Sequence, residues 1–217
     1  MLPSIESYPL PQTPQLPPNR VDWQLDTSRA ALLVHDMQYY FVDAFGPESP
    51  LITTVVKHIA ALRDAATAAG MPVFFTAQPP NQDPADRGLL WDFWGRGITG
   101  DGREAIVDEL HPTATDTVLT KWRYDAFTRS DLAEQLAEAG RDQLIITGVY
   151  AHIGCLTTAT AAFMRDIQPF LVADALADFR LSDHLRALSY AAKRCGHVLD
   201  TATALGQLGS GSGNGAA

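Results

Sequence analysis

Short apolar runs alternate with segments of helical spacing along most of this chain. Residues 30–34 (AALLV) form a continuous apolar run, which is typical of a parallel strand covered on both faces. Residues 53–69 instead repeat apolar side chains at helical spacing and end before Gly70, a common residue at the end of a helix. The same patterns predict further strands at residues 72–77, 118–119, 144–148 and 170–173, and further helices at residues 130–140, 157–166 and 182–196.

This alternation predicts a three-layer α/β/α fold, in which a mostly parallel, Rossmann-type sheet lies between two layers of helices. Ser130 and Ser182 begin two of the predicted helices, and serine is a favoured N-cap residue. In sheets of this kind, ligands bind beyond the carboxyl ends of the strands. The residues that directly follow each strand are therefore the first candidates for a functional site.

The two ends of the chain differ in composition from the alternating region. Residues 1–20 are rich in proline, which excludes a helix or a central strand and predicts an extended arm lying on the domain or on a partner subunit. Residues 209–217 (GSGSGNGAA) have almost nothing to bury and predict a flexible tail. The domain is expected over residues 21–208, long enough for one domain with a substantial core.

Composition and charge exclude several classes of function. The formal net charge is −9 and no run of Lys or Arg occurs, which argues against a nucleic-acid partner or a membrane surface. No apolar segment is long enough to span a bilayer, and the N-terminus lacks the features of a signal peptide. With only Cys155 and Cys195, the chain is expected to be cytoplasmic with reduced thiols. The sequence has no cluster of Cys and His residues of the kind that binds a structural zinc.

Chemically distinct groups follow the predicted strands. Asp36 comes just after the first strand, Gln78 after the second, Lys121 after the third, and residues 150–154 after the fourth. Burial at a strand end would raise the pKa of the Asp36 carboxyl, whereas a nearby lysine would lower it. A structural ion pair and a catalytic pair are both compatible with this pattern, and periodicity alone does not separate them.

Several segments resemble the isochorismatase family of α/β hydrolases: LLVHDMQYYF, FFTAQP, DRGLLWDFWG, LTKWRYDAF and GVYAHIGC. The likeness extends from the N-terminal arm to about residue 198. Cysteine hydrolases of this family combine Asp and Lys with a nucleophilic Cys, the seventh residue from the first glycine of the last segment. Asp36 and Lys121 match the first two, but the seventh residue here is Gly154, and Cys155 follows it. One residue along a turn or helix swings a side chain by roughly 100°, so we do not expect Cys155 to be a nucleophile.

The resemblance is strongest to the branch that acts on isochorismate and its 2-amino analogue, and it implies a vinyl ether hydrolase. Protonation of the methylene carbon of an enolpyruvyl ether gives an oxocarbenium ion, to which water adds before pyruvate leaves, so no protein nucleophile is needed. The expected activity is isochorismatase, which converts isochorismate to 2,3-dihydro-2,3-dihydroxybenzoate and pyruvate in siderophore or other chorismate-derived secondary metabolism.

Three alternatives stay open beside this expectation. The first is the same reaction on 2-amino-2-deoxyisochorismate, giving trans-2,3-dihydro-3-hydroxyanthranilate for a phenazine-type pathway. The second is a cysteine amidohydrolase that uses Cys155 despite its displaced position. The third is a catalytically silent subunit that docks a carrier protein.

By the same resemblance, Asp36 is the general acid, Lys121 orients it and offsets carboxylate charge, and Gly154 leaves room for the substrate ring. Arg87 would clamp a carboxylate with two parallel hydrogen bonds, and Gln78 would contact polar groups on the ring. The remaining implied contacts are a tyrosine at the enolpyruvyl carboxylate and three aromatic residues of an apolar wall: Tyr150, Phe41, Trp94 and Tyr124. The peptide bond between residues 149 and 150 is expected to be cis.

Some of these residues also have ordinary structural interpretations. Taken by itself, Arg87 is typical of a solvated arginine in a polar loop. His35 is expected to point away from Asp36, because neighbouring side chains alternate along a strand, and to pack in the core. His152 is left outside the catalytic set. Two departures from the family pattern are expected near the pocket mouth, where they would affect substrate choice: Arg96 and Asp125.

The resemblance also bears on cofactors and partners. Metal-binding relatives carry spaced histidines after the first strand, and residues 43–50 contain none, so neither a metal nor a cofactor is expected. The expected partner is a small dicarboxylate substrate. The family habit implies a homodimer, to which the arm would contribute, and contact with a carrier protein or pathway enzyme stays open.

Overall fold

The central sheet has six strands in the order β3-β2-β1-β4-β5-β6, and every neighbouring pair is parallel. A computed structural model describes residues 2–210 of the chain. The strands are β1 (Ala30–His35), β2 (Val73–Ala77), β3 (Thr117–Thr120), β4 (Gln143–Val149), β5 (Gln168–Ala177) and β6 (His197–Leu199).

Eight α-helices connect or flank these strands within residues 2–210. They are α1 (Tyr39–Val42), α2 (Pro50–Ala68), α3 (Pro84–Arg87), α4 (Leu90–Trp94), α5 (Leu132–Glu138), α6 (Leu156–Phe163), α7 (Leu181–Arg194) and α8 (Thr201–Ser210). A π-helical turn, Ala151–Cys155, joins β4 to α6. Among the residues that the structure describes, no helix is both long and apolar enough to cross a membrane.

Two hydrophobic cores lie on opposite faces of the sheet, as the three-layer prediction requires. Helices α2 and α8 pack on one face, and α5, α6 and α7 pack on the other. All six residues of β1 are buried, and alternate ones enter opposite cores, Leu32 on one side and Leu33 on the other. The continuous apolar run at residues 30–34 is therefore a central strand covered on both faces, and the predicted fold class is confirmed.

The predicted boundaries fail where a polar residue or a glycine lies inside an element. Strand β5 continues past Asp174 to Ala177, because the Asp174 carboxylate accepts hydrogen bonds from the amide and hydroxyl of Thr201, each at 2.7 Å. Helix α8 was not predicted at all, since it contains Gly206 and Gly209. It overlaps the predicted flexible tail by two residues, and the rest of that tail, residues 211–217, lies outside the described residues.

The two predicted serine N-caps are wrong by one or two residues. Helix α5 begins after Asp131, and Ser130 lies just outside it, where its hydroxyl donates to the carbonyl of Ala126 at 2.5 Å. Helix α7 begins after Arg180, in extended conformation, so that Ser182 already lies in the first helical turn. Pattern alone does not fix a helix end more closely than this.

The N-terminal arm packs on the domain of its own chain. The amide of Ile5, a buried residue, donates to the carbonyl of Ala44 at 2.8 Å. The Tyr8 hydroxyl accepts the amide proton of Asp178 at 2.8 Å. Residues 13–15 form one 3-10 turn, and the rest of the arm is irregular, as its prolines predict.

Candidate active site

A pocket opens at the carboxyl ends of the central strands and encloses about 540 Å³, including its mouth. All nine residues selected from the sequence line it: Asp36, Phe41, Gln78, Arg87, Trp94, Lys121, Tyr124, Tyr150 and Gly154. The lining also contains six residues outside that set: Leu2, Tyr40, Leu90, Val149, Ile153 and Phe179.

A buried ion pair lies in this pocket. The Nζ atom of Lys121 is 3.0 Å from Oδ2 of Asp36, and the two side chains are only 2% and 7% exposed. Thr76, which the sequence did not single out, donates its hydroxyl proton to Oδ1 of Asp36 at 2.5 Å and accepts the Asp36 amide proton at 3.0 Å. Both carboxylate oxygens therefore have partners, which hold the group in one orientation.

The charge on Asp36 follows from these contacts. Burial raises the pKa of the carboxyl, but the charge of Lys121 and the hydrogen bonds from Thr76 and Lys121 together outweigh burial. The pKa of Asp36 consequently lies below its ordinary value of 3.8. At neutral pH the free protein therefore holds an ionised carboxylate here.

His35 does not point away from Asp36, so the predicted direction is wrong, although its burial in the core is confirmed. The Nδ1 atom of His35 lies 3.6 Å from Oδ2 of Asp36. The cause is the backbone of Asp36, whose φ of 52° falls in the left-handed region. Strand geometry ends at His35, and with it the alternation on which the prediction depended.

Gln78 is held in the pocket wall by a second glutamine. The buried side chain of Gln38 accepts the amide proton of Gln78 at 2.8 Å and donates to the carbonyl of Gln78 at 2.9 Å. The same Gln38 amide also donates to the carbonyl of Glu104 at 2.7 Å. Gln38 thus fixes the backbone from which the Gln78 side chain projects, a role the sequence analysis did not foresee.

Arg87 is a buried cation, so its interpretation as a solvated loop arginine is wrong. Only 3% of the residue is exposed, and its Nε donates to the carbonyl of Gly95 at 2.5 Å. Within residues 2–210, its Nη1 atom has no hydrogen-bond partner. The guanidinium lies so close to Gly97 that a β-carbon there would overlap it. Burial lowers the pKa of Arg87, but a guanidinium stays charged at any physiological pH. The group can therefore receive an anion from the pocket.

The aromatic wall is tied together by hydrogen bonds and ring contacts. Trp94 Nε1 donates to the Tyr124 hydroxyl at 2.7 Å, and the rings of Tyr150 and Phe179 lie 4.4 Å apart. The Tyr150 hydroxyl donates to the carbonyl of Phe41 at 2.9 Å. Because that hydroxyl has one proton, a contact from Tyr150 to a substrate carboxylate would have to come from its backbone. The expected cis peptide between residues 149 and 150 is confirmed.

Cys155 is separated from this pocket. It is fully buried in the core against α6, and burial raises the pKa of its thiol well above the ordinary value of 9.0. A thiol becomes a nucleophile only as the thiolate, which this environment opposes. Both Cys155 and Cys195 are free thiols.

Comparison with protein-family models gives a match to the isochorismatase domain over residues 30–203. The chain belongs to the isochorismatase family. Membership of this family makes the chain a hydrolase, and it agrees with the resemblance found in the sequence.

The relatives of this isochorismatase-family chain include biosynthetic enzymes. It is 55% identical over 201 residues to enterobactin synthase component B of Escherichia coli, covering 92% of this chain and 70% of that one. It is 51% identical over 208 residues to the isochorismatase of Bacillus subtilis, covering 95% and 67%. It is 49% identical over 201 residues to phenazine biosynthesis protein PhzD1 of Pseudomonas aeruginosa, covering 92% and 96%.

A solved structure of a cysteine hydrolase from Pseudomonas syringae has a similar fold, with a TM-score of 0.81 and 25% identity. The alignment covers 90% of this chain and 98% of that one.

Two predicted specificity residues of this isochorismatase-family chain lie outside the pocket lining. The Asp125 carboxylate accepts the amide protons of Phe127 and Thr128, each at 2.9 Å, and so closes a local turn. Arg96 is exposed, and its guanidinium lies 3.5 Å from the side-chain oxygen of Asn81. Neither residue contacts the interior of the pocket, so their expected effect on substrate choice has no direct structural basis.

No group of three or more His, Cys, Asp or Glu residues in the described part of this isochorismatase-family chain could hold a metal ion.

His152 belongs to a clamp beside the pocket rather than to its lining. Its Nδ1 lies 2.6 Å from Oδ1 of the buried Asp178, and its amide donates to Oδ2 of the same carboxylate at 2.7 Å. The Phe179 amide also donates to Asp178, at 2.7 Å. Asp178 therefore ties the end of β5 to the turn that carries Gly154. The hydrogen bond to Asp178 raises the pKa of His152.

His152→Gln is expected to lower the melting temperature more at about pH 6 than at about pH 8.5. The pKa of His152 is raised by folding, so its stabilising contribution is complete below its unfolded pKa and is lost as pH rises through the folded pKa. Thermal unfolding at the two pH values measures the difference, with His111→Gln at an exposed histidine as control. A deficit that does not change with pH would contradict the clamp.

Proposed function

We propose that this protein hydrolyses the enolpyruvyl vinyl ether of isochorismate, giving 2,3-dihydro-2,3-dihydroxybenzoate and pyruvate. One observation carries the proposal: the buried pair of Asp36 and Lys121 faces a pocket that has Gly154 in place of a nucleophile. The names of the isochorismatase of Bacillus subtilis and of enterobactin synthase component B support it.

The first chemical step is transfer of a proton from Asp36 to the methylene carbon of the enolpyruvyl group. This transfer leaves an oxocarbenium ion on the substrate and a carboxylate on Asp36, and their opposite charges attract. Water then adds to the cationic carbon and returns one proton to Asp36. The resulting hemiketal collapses to pyruvate and the ring alcohol. Arg87 offers the buried cation to a substrate carboxylate.

The lowered pKa of Asp36 has to be reconciled with its role as an acid. A substrate carboxylate that enters beside Asp36 opposes ionisation of the aspartate, so the proton is taken up together with the substrate. In the free enzyme the pKa is below 3.8, and kcat/KM should therefore rise about tenfold per pH unit as pH falls from 7 towards 5. As pH rises, kcat, which reports the enzyme–substrate complex, should begin to fall at a higher pH than kcat/KM does. Coincident profiles would contradict this sequence of events.

Arg87→Lys is expected to raise KM about tenfold with a smaller change in kcat. Lysine keeps the charge but loses the fork of parallel donors, and one charge-assisted hydrogen bond is worth about 1.5 kcal/mol. Steady-state kinetics of pyruvate release measure the effect. Arg96→Lys, an exposed arginine that does not line the pocket, is the matched control and should leave KM unchanged.

A second candidate is the same reaction on 2-amino-2-deoxyisochorismate. The similarity to phenazine biosynthesis protein PhzD1, which extends over 96% of that protein, favours it. The two substrates differ by one polar substituent, so the decisive experiment is a comparison of their kcat/KM values with the same purified protein. A preference of at least tenfold for the amino compound would reverse the order of the two candidates, and the absence of pyruvate from both would refute the proposed function.

We also propose that the protein is a cytoplasmic homodimer; contact with a carrier protein or pathway enzyme is a further expectation. Packing of residues 2–10 on their own domain places the arm at the surface of the folded subunit, where a partner could cover it. A monomeric mass in solution would contradict the dimer.

A further inference from the structure

His35 is enclosed by two glycines that come from the same stretch of chain. Gly148 pairs with His35 across β1 and β4, and a β-carbon at Gly148 would overlap the His35 carbonyl oxygen. On the side-chain side, a β-carbon at Gly154 would overlap Cε1 of the His35 ring and lie 2.9 Å from its Nε2. The imidazole therefore fills the space that any side chain at residue 154 would need.

The Nδ1 atom of His35 faces a backbone carbonyl. Nδ1 lies 2.9 Å from the carbonyl oxygen of Val149, and because a carbonyl only accepts, this contact is a hydrogen bond in the tautomer that carries its proton on Nδ1. Burial, together with repulsion from Lys121, lowers the pKa of His35 to about 4, and the ring is neutral. The same Nδ1 lies 3.6 Å from Oδ2 of Asp36. One N–H group thus faces both the end of β4 and the carboxylate of the ion pair.

We propose that His35 is a positioning residue, whose ring excludes a nucleophile at residue 154 by occupying the site of its β-carbon and whose Nδ1–H, bonded to the Val149 carbonyl, holds the end of β4 beside Asp36. This inference deepens the proposed function and rests on it. It also changes the explanation for Gly154. The glycine is needed because of the histidine packed against it, and not only to make room for a substrate ring.

The steric part of the proposal is tested by a double-mutant cycle between residues 35 and 154. Gly154→Ala should lower the melting temperature by about 5 °C, the effect expected of one overpacked methyl group in a chain of this size. His35→Asn keeps a donor near the Nδ1 position but removes the Cε1 and Nε2 atoms. In that background Gly154→Ala should cost less than about 2 °C. Gly206→Ala, where an added β-carbon meets nothing within 4 Å, is the control for a methyl group alone.

The positioning part is tested by comparing two substitutions of His35 in the kinetics of pyruvate release. His35→Val fills part of the space without a donor, and it should lower kcat at least tenfold with KM changed much less. His35→Asn should keep kcat at least tenfold above that of His35→Val, because its side-chain amide can still donate to the Val149 carbonyl. If His35 acted only by packing, the presence of a hydrogen-bond donor would not matter, and the two variants would have similar kcat values.

The outcomes separate the inference from the proposed function. Equal effects of Gly154→Ala in both backgrounds, or equal kcat for His35→Val and His35→Asn, would overturn the inference. If His35→Asn does not fold, His35→Ala replaces it in the cycle. The cycle then measures how much of the melting temperature lost in Gly154→Ala is recovered in the His35→Ala background. The double-mutant cycle measures melting temperatures and needs no substrate, so it tests the steric coupling even if the wild-type protein is inactive. A wild-type protein that releases no pyruvate would refute only the proposed function.

Discussion

Asp36→Asn is expected to lower kcat for pyruvate release by roughly 10²- to 10⁴-fold, the usual contribution of a positioned general acid. Asparagine has the same shape, and its Oδ1 can still accept a hydrogen bond from Lys121 or Thr76, but it has no acidic proton to transfer. KM should change less, because the proposed substrate contacts of Arg87 and Gln78 stay in place. Coupling pyruvate release to lactate dehydrogenase, with NADH absorbance as the signal, measures the loss.

The matched control is Cys155→Ala, which removes the thiol while leaving the acid in place. The thiol is buried outside the pocket lining, so this variant should retain most of the wild-type kcat. A cysteine amidohydrolase would give the opposite pair of results, with Cys155→Ala inactive. An Asp36→Asn variant with more than about a tenth of wild-type kcat would rule out Asp36 as the acid.

Lys121→Met is expected to reduce the free energy of unfolding by about 3–5 kcal/mol near pH 7, because it leaves the Asp36 carboxylate buried without its cation. In the wild type the folded pKa of Asp36 is depressed. Its contribution to stability is therefore present above the unfolded pKa of about 3.9 and is lost as pH falls through the folded pKa.

In Lys121→Met, the contribution of Asp36 to stability depends on pH in the opposite direction. Without Lys121, burial becomes the dominant influence and raises the pKa of Asp36, so stability is lost as pH rises through the raised value. The deficit relative to wild type should then be largest near pH 7 and shrink towards about pH 5. Urea unfolding at both pH values measures it. The double variant with Asp36→Asn, which removes both charges, should lose this pH dependence, and a deficit of equal size at both pH values would argue against an ionised Asp36.

The location of Asp36 and Lys121 could be predicted because each follows an apolar run, and the ends of parallel strands meet at one edge of a sheet. That argument requires only the order of strands and helices along the chain. Arg87 was different, since its loop is polar and its residues alone favour exposure. The resemblance to the family selected it, and its burial depends on the close approach of Gly97, which has no signature in hydrophobic patterning.

Other features could not be predicted because they depend on contacts between distant segments. The direction of His35 was missed because the left-handed backbone of Asp36 interrupts strand alternation without a glycine to signal it. Phe179 was missed because β5 was expected to end before Asp174, whose charge is accommodated by Thr201 at the start of α8. Strand β5 in fact extends to Ala177, so Phe179 lies just beyond a strand end, the position expected for site residues in a parallel sheet.

The pocket is built from segments that are far apart in the chain, from Leu2 in the arm to Phe179 after β5. No short stretch contains both members of the ion pair, because Asp36 and Lys121 are brought together only when β1, β2 and β3 have paired in order. Non-local strand pairing of this kind forms late and slowly in folding. Turnover is consequently a property of the completed sheet, so enzymatic activity recovered after dilution from denaturant reports the arrival of the native topology and not merely of helical content.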